Sequence, residues 1–347
     1  MANVIPVVID SNGDLSQIQA PDKIDSTYLP TTGASAGGSS GQVQFNNGGV
    51  LDGASNVKIT SGDLTLAVNA SPVTPTTDNV LLFNRQIAKR NLLAHIGPSA
   101  LDTALQPLLA RNKIGFWCPP GNAVSVPGLL GFTAYTATGT ITARNVATTS
   151  ALTRMRRLGF VSSTTAGSLA GARVSVAQIT LGTTIGSVNV GGFFKIIRFG
   201  ISDAATVSGA RMFVGIGSTS APTNVEPSTL TNSIGVGHGA SDTNLKIYWG
   251  GSAAQTPVDL GASFPITIGT AYELALFNAP GNNTSVGYQV TSLDTGATVS
   301  GTLTGTAGTQ LPAATTLVTY AQSWRTNNAT ALAVGLDICS DYIETDQ

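Results

Sequence analysis

The chain has 347 residues, enough for two or three domains, and a net charge of −1. Only 10% of the residues are charged, against ~25% in ordinary soluble proteins, and 40 are glycine, a balance that argues against a typical cytoplasmic enzyme. No run of ~18 apolar residues is present, which excludes a membrane-spanning helix.

Residues 1–30 open with an apolar strand from Val4 to Ile9, an Asn12-Gly13 turn and a short strand from Leu15 to Ile18. Pro21 and Pro30 then bracket an extended arm. The opening MANVIPVVIDSNGD lacks the basic n-region of a signal peptide, so synthesis in a cytoplasm is expected. Residues 31–40 (TTGASAGGSS) carry no apolar side chain larger than alanine and read as a flexible linker spanning roughly 17 Å. Two overlapping G-x-S-x-G matches, Gly33 to Gly37 and Gly37 to Gly41, lie in it. A nucleophile elbow needs a strand before and a helix after, and neither is expected here.

From Gly41 the pattern changes to period two. Val43 and Phe45 alternate with Gln42 and Gln44, and Asn47-Gly48 tolerates the positive φ of a primed turn. Val57 and Ile59 alternate, Ser61-Gly62-Asp63 turns, and Leu64, Leu66 and Val68 alternate again. These strands have one apolar face and no long helix to cover it. Packing against further copies of the chain, in closed symmetry, would bury that face. The segment 41–78 is therefore expected to be a thin β stalk, ending in the linker SPVTPTTD (71–78).

The spacing of Phe83 and Ile87 at i, i+4 predicts a helix over 79–94. Ser99 as a cap, Asp102 at the reciprocal position and a leucine face at 101, 105, 108 and 109 predict a second short helix. Together they would make a helical collar over 79–113. From 114 to 347 short apolar runs alternate with Gly/Asn/Ser/Pro turns. Those runs are 191–201, 211–216, 245–249, 272–277, 286–290 and 332–338. This spacing predicts an antiparallel β-sandwich head of the jelly-roll or lectin-like kind.

The wording Gly41 to Asn56, GQVQFNNGGVLDGASN, resembles segments of bacteriophage tail-fibre and tail-spike proteins. Residues 94–109 (AHIGPSALDTALQPLL) and the ending Asp341 to Asp346 (DYIETD) also resemble tail-fibre proteins with a β-rich tip. The resemblance implies a homotrimeric virion fibre, assembled in the host cytoplasm, without cofactor or metal. Residues 1–30 would anchor it to a tail, baseplate or capsid protein, and the head would bind a host-surface glycan or protein. A capsid head fibre or decoration protein, and a glycan depolymerase, are the alternatives.

Candidate chemistry is sparse. His95 and His238 lie far apart in sequence, and His238 sits in a glycine-rich turn, GVGHG, with no helix after it. Asp337 and Asp341 would share a strand face but lie ~13 Å apart, too far for a glycosidase pair. Sugar sites use aromatic faces with amide and hydroxyl partners, because sugars have apolar C–H faces and polar rims. Trp249, beside Gly250-Gly251, and Trp324, followed by Arg325, Asn327 and Asn328, are the candidate receptor-binding residues. Cys118 and Cys339 match no metal-site spacing and read as free, buried thiols. Charge is uneven: −4 over 1–70, +10 over 71–211 and −7 over 212–347. The bases of the middle block are scattered, so neutralisation by the acidic block is expected rather than nucleic-acid binding.

Overall fold

The computed structural model describes residues 7–9, 15–17, 39–47, 50–76, 79–96, 102–104, 113–119, 135–218 and 223–345. It is mainly β. The linker at 31–38 and the expected helical positions 97–101 and 105–112 lie outside the described residues. Strands β1 (Val7–Ile9) and β2 (Leu15–Gln17) pair antiparallel, as the Asn12-Gly13 turn predicts. Next, β3 (Gln42–Asn47), β4 (Val50–Thr60) and β5 (Asp63–Leu66) form a three-stranded sheet. Val57 stands opposite Leu66, and Ile59 opposite Leu64, so these four share one face. That face stays open in the single chain: Ile59 is 49% exposed and Leu64 61%.

The collar is a correction. Residues 81–96 form β6 (Leu81–Ile87) and β7 (Arg90–Ile96), an antiparallel hairpin, and β8 (Asp102–Ala104) pairs with β7. A spacing of four is a multiple of two as well as nearly a helical turn, so Phe83 and Ile87 fit either element. Pairing across the hairpin decides: Phe83, Ala94 and Ile96 bury one another with Leu81 against them. Ala88 and Lys89 both take positive φ (47° and 70°), the two-residue turn that matches strand twist, without the glycine that usually signals it. On the other face, Leu82 (60%) and Leu93 (44%) are exposed.

The rest is a two-layer sandwich. One sheet has seven strands. From edge to edge they are β10 (Thr136–Thr138), β13 (Leu169–Arg173), β24 (Thr319–Thr326), β17 (Arg211–Gly217), β18 (Ser233–His238), β19 (Lys246–Gly250) and β20 (Val258–Asp259). The other has eight elements. Seven run β11 (Thr140–Ala143), β12 (Leu158–Val161), β25 (Gly335–Thr345), β16 (Phe193–Ile201), β21 (Ala271–Asn278), β22 (Ser285–Ser292) and β23 (Thr298–Thr304). The eighth, β9 (Lys113–Trp117), pairs with the last residues of β25. A small hairpin, β14 (Thr183–Ile185) and β15 (Val188–Val190), stands apart. Regular α-helix among the described residues is one turn, α1 (Ala151–Arg154), closed by a Ser150–Thr153 capping box.

Alternation fills the space between the sheets. Phe193, Ile197, Phe199 and Ile201 of β16 meet Met212, Val214 and Ile216 of β17 in one continuous core. In β25 the alternation is interrupted: Arg198 pairs with Ser340 but Phe199 with Ile338, so Cys339 is an extra residue. Leu336 and Ile338 point inward before this bulge, and Asp341 and Ile343 after it. Asp337 and Asp341 therefore lie on opposite faces, not on one as expected from the strand period.

The hairpin sits against one part of the outer face of the eight-element sheet, around Phe194, Gly287 and Glu344. Arg90 donates to both carboxylate oxygens of Glu344 at 2.8 Å, and its guanidinium lies 4.6 Å over the Phe194 ring. A Cβ at Gly287 would stand 2.1 Å from the Ala88 carbonyl oxygen, so glycine there lets the hairpin turn sit down on β22. The opposed charge blocks meet within the chain. Arg90–Glu344, Arg144–Asp337, Arg157–Asp337, Lys195–Asp341, Arg198–Glu273 and Arg211–Glu226 each join the basic block to the acidic one. Both cysteines are free. Cys339 is buried, which pushes its thiol up to about 12, whereas Cys118 is half-buried rather than buried as expected.

Candidate functional site

Of the five residues singled out in the sequence, the structure leaves one on a partly open surface with an aromatic face. Trp249 is half-buried at the margin of the core, and its Nε1–H donates to the Thr256 carbonyl at 3.2 Å. Trp324 is fully buried on the outer face of the seven-stranded sheet, stacked near Phe213 (6.3 Å between ring centres) and Tyr248. Its assignment as a receptor contact is corrected for a simple reason. That outer face is not open to solvent but carries its own small core, with Leu169 and Leu230 laid over it. Trp324→Ala should cost about 3–5 kcal/mol in chemical denaturation, as for a large aromatic truncated in a core, while Trp249→Ala should cost less than half of that.

Asn327 ties a loop together instead of facing a ligand, and Asn328 sits in the same loop. Asn327 is buried and donates to the Thr165 and Leu332 carbonyls at 2.8 and 2.9 Å. Asn328 takes a left-handed φ of 51°, and its backbone N–H donates to Thr326 Oγ1 at 3.1 Å. Burial and these side-chain bonds remove Asn327 from the list of binding residues, whereas the Asn328 side chain stays half-buried at the loop surface.

Arg325 is buried too, but it floors a cleft of about 530 Å³ at one end of the sandwich. Met212 of β17 stands opposite both Arg325 and His238, so these three share a row on the inner face of the seven-stranded sheet. Asp203 reaches this row from the loop after β16, in the facing sheet. Its Oδ1 and Oδ2 accept from Arg325 Nε and Nη2 at 2.8 and 2.5 Å, and Oδ1 also accepts the Gly335 N–H at 2.7 Å. The remaining Arg325 amine, Nη1, donates to His238 Nε2 at 2.6 Å, which fixes the tautomer: His238 Nδ1–H donates to the Gly239 carbonyl at 3.1 Å. Burial first, and the Arg325 charge second, push His238 down to about 3. With both nitrogens committed and no proton to gain near neutrality, it is not placed to act as a general acid or base.

A second charged group rims the same cleft. Asp242 accepts from the Gly239 N–H at 2.7 Å, from Tyr248 Oη, and from Lys246 Nζ at 2.6 Å. Burial alone would raise its carboxyl, but the bonds from Lys246, Tyr248 and Gly239 outweigh it and hold the group below the usual carboxylate range. Nearby Glu226 accepts from Arg211 Nε at 2.7 Å and from the Ala240 N–H at 3.2 Å. Thr206, Thr243 and Thr267, with Gly209 and Ala240, line the remaining wall. Asp203, Asp242 and Glu226 are thus each met by a base, and the wall between them carries hydroxyls together with the aliphatic side chains of Val207, Ile266 and Ile268. Asp203 and Asp242 escaped the sequence reading, and His238 was noted there only as part of a glycine-rich turn. The available signal was scarcity: Arg325 and Lys246 are the only bases in 212–347, and a lone base on an apolar strand calls for a partner.

No family model matches the chain, and no curated protein matches it. Solved structures similar to it include arcelin-5, a lectin-like defence protein from Phaseolus vulgaris. It is 11% identical, the match covers 68% of this chain and 98% of that one, and the TM-score is 0.44. A peanut lectin with a bound 9mer peptide is 12% identical over 67% of this chain and 97% of that one, with a TM-score of 0.44. A protein of unknown function from Shewanella oneidensis MR-1 is 14% identical over 70% of this chain and 90% of that one, with a TM-score of 0.43.

Proposed function

We propose that the chain is a non-enzymatic fibre protein of a bacteriophage particle, trimeric, whose sandwich head attaches to a glycan on the host surface. The observation that carries this reading is a contrast inside one chain. The sandwich has a complete core of its own, while the thin sheets before it hold Ile59, Leu64, Leu82 and Leu93 open to solvent. Copies packed about a three-fold axis would close those faces. The resemblance of residues 41–56 and 341–346 to tail-fibre proteins points to the particle, and residues 1–30 are the part assigned to its anchor. Three heads on one stem gain avidity from effective concentration even when each site is weak.

The ligand assigned to the loop-end cleft is a neutral sugar. Its charges are already matched, so an ionic ligand would have to displace a partner, whereas sugar hydroxyls can bond to threonine hydroxyls and backbone groups without doing so. No helix among the described residues is long and apolar enough to cross a membrane.

Light scattering tests the assembly: three times the 35.2 kDa chain mass is expected, and a stable monomer overturns it. Ile59→Asp with Leu64→Asp should dissociate the trimer. Thr267→Trp, an exposed position on the cleft wall, should abolish host-cell binding with a stability change within ~0.5 kcal/mol. Immunogold labelling on virions distinguishes tail from capsid. Labelled capsids without host binding by the protein would favour the decoration alternative.

A further inference from the structure

We propose that Lys195 and Asp341 form an intramolecular isopeptide bond, joining the two central strands β16 and β25 covalently through the core of the sandwich. The two side chains occupy neighbouring inward positions: Lys195 stands opposite Ile343, and Asp341 opposite Ile197. Lys195 sits in the middle of the inward row of β16, flanked by Phe193 and Ile197, a place where an apolar residue would be expected. Asp341 faces it only because the bulge at Cys339 switches the parity of β25. Both are fully buried, and Lys195 Nζ lies in hydrogen-bond contact with Asp341 Oδ1. The carboxyl carbon is one C–O bond further on, which puts nucleophile and electrophile within near-attack range.

The surroundings suit condensation rather than an ion pair. Tyr135 Oη donates to Asp341 Oδ2, and Tyr135 packs edge-on to Trp117 (5.3 Å between ring centres) and Tyr320 (6.2 Å). The Tyr320 ring is also 5.9 Å from Lys195 Nζ. An ammonium has three N–H donors, and Asp341 is the one hydrogen-bond acceptor for Lys195 among the described residues. Taking two charges into such a place is disfavoured. Burial lowers the Lys195 amine and raises the Asp341 carboxyl, each against the pull of its partner, and both shifts run toward the free amine and neutral acid that condensation requires. In water the same two groups ionise, which removes both the nucleophilic lone pair and the electrophilic acid.

The step balances without a co-reactant. The Nζ lone pair attacks Cγ, and Oδ2, held by the Tyr135 hydroxyl, carries the charge of the tetrahedral intermediate. Burial pushes Tyr135 well up, so it stays a donor throughout. The Cγ–Oδ1 bond then breaks, and Oδ1 leaves as water with its own acid proton and one proton from Nζ. The remaining Nζ–H and the Oδ2 carbonyl form a secondary amide, still hydrogen-bonded to Tyr135. No group is oxidised or reduced, and the chain loses one water.

Mass spectrometry of the full-length, denatured protein tests this. The folded and then denatured chain should weigh about 18 Da less than its sequence. A tryptic digest should contain Val174–Arg198, uncut at Lys195, joined to Thr326–Gln347. Asp341→Ala and Lys195→Met should each restore the full sequence mass. Asp341→Asn should lose about 17 Da, as ammonia leaves in place of water. Tyr135→Phe should emerge unlinked and convert more slowly than the parent, a delay that a merely structural tyrosine would not produce. The parent protein needs no substitution to decide the matter: full sequence mass with separate, unlinked peptides overturns the proposal.

Discussion

Arg325→Met should destabilise the protein by about 3–5 kcal/mol, the cost expected when one partner of a buried ion pair is removed. The loss does not come from the methionine, which fits an inward row beside Met212. It comes from Asp203, whose carboxylate stays buried with the Gly335 N–H as its remaining donor near the cleft floor. His238 Nε2 loses its donor at the same time. The double variant Asp203→Leu/Arg325→Met should recover a large part of the loss, because a matched apolar pair leaves no charge behind. Urea denaturation of the three proteins would show this as a shift in midpoint at nearly constant slope. Equal destabilisation in the single and double variants would show that shape, not charge, holds this end of the sandwich.

Acid should unfold the protein through His238. In the unfolded chain this group takes up a proton near its ordinary 6.5, but in the folded protein not until about 3. Between those values the unfolded state binds more protons, so stability falls as pH falls. The contribution is complete above about 6.5 and is lost progressively toward 3, at about 1.4 kcal/mol per pH unit. His238→Gln keeps an acceptor for Arg325 and removes the titration. Its stability should therefore fall less steeply between pH 6 and 4 than that of the parent. Carboxylates that protonate in the same window act on both proteins and cancel in the difference. Parallel curves would mean that His238 gains its proton without unfolding.

The head was the most legible part of the sequence, because its strands are short, β-rich and separated by glycine-containing turns that no helix tolerates. Five of the six apolar runs fall on strands that differ from expectation by at most two residues at either end. The sixth was read as starting at 332, and the strand runs from Gly335 to Thr345. The hairpin at 81–96 was illegible for a definite reason: its anchor residues are spaced by four, and its turn, Ala88-Lys89, carries neither glycine nor asparagine. Trp324 was misplaced because alternation tells which residues share a face but not whether a loop covers that face. Asp341 was misplaced because a bulge leaves no mark in a one-dimensional pattern. The cleft was hidden for the same kind of reason. Asp203, the stretch from His238 to Asp242, and Arg325 come from widely separated positions, and only the sandwich topology brings them together.

The grip of Arg90 on Glu344 has a mechanical consequence. The chain enters the sandwich along β9, beside residues 341–345 of β25, and the hairpin clasps Glu344 in that same stretch. A pull from the N-terminal side therefore arrives at one short segment by two routes. That segment is not an edge: its other side is laddered to Phe193–Ile197 of β16, and the same ladder runs on through the rest of β25 to Ile201. Load delivered there is shared along a whole row of backbone bonds, which must shear together and cannot be peeled open one at a time from a free strand end.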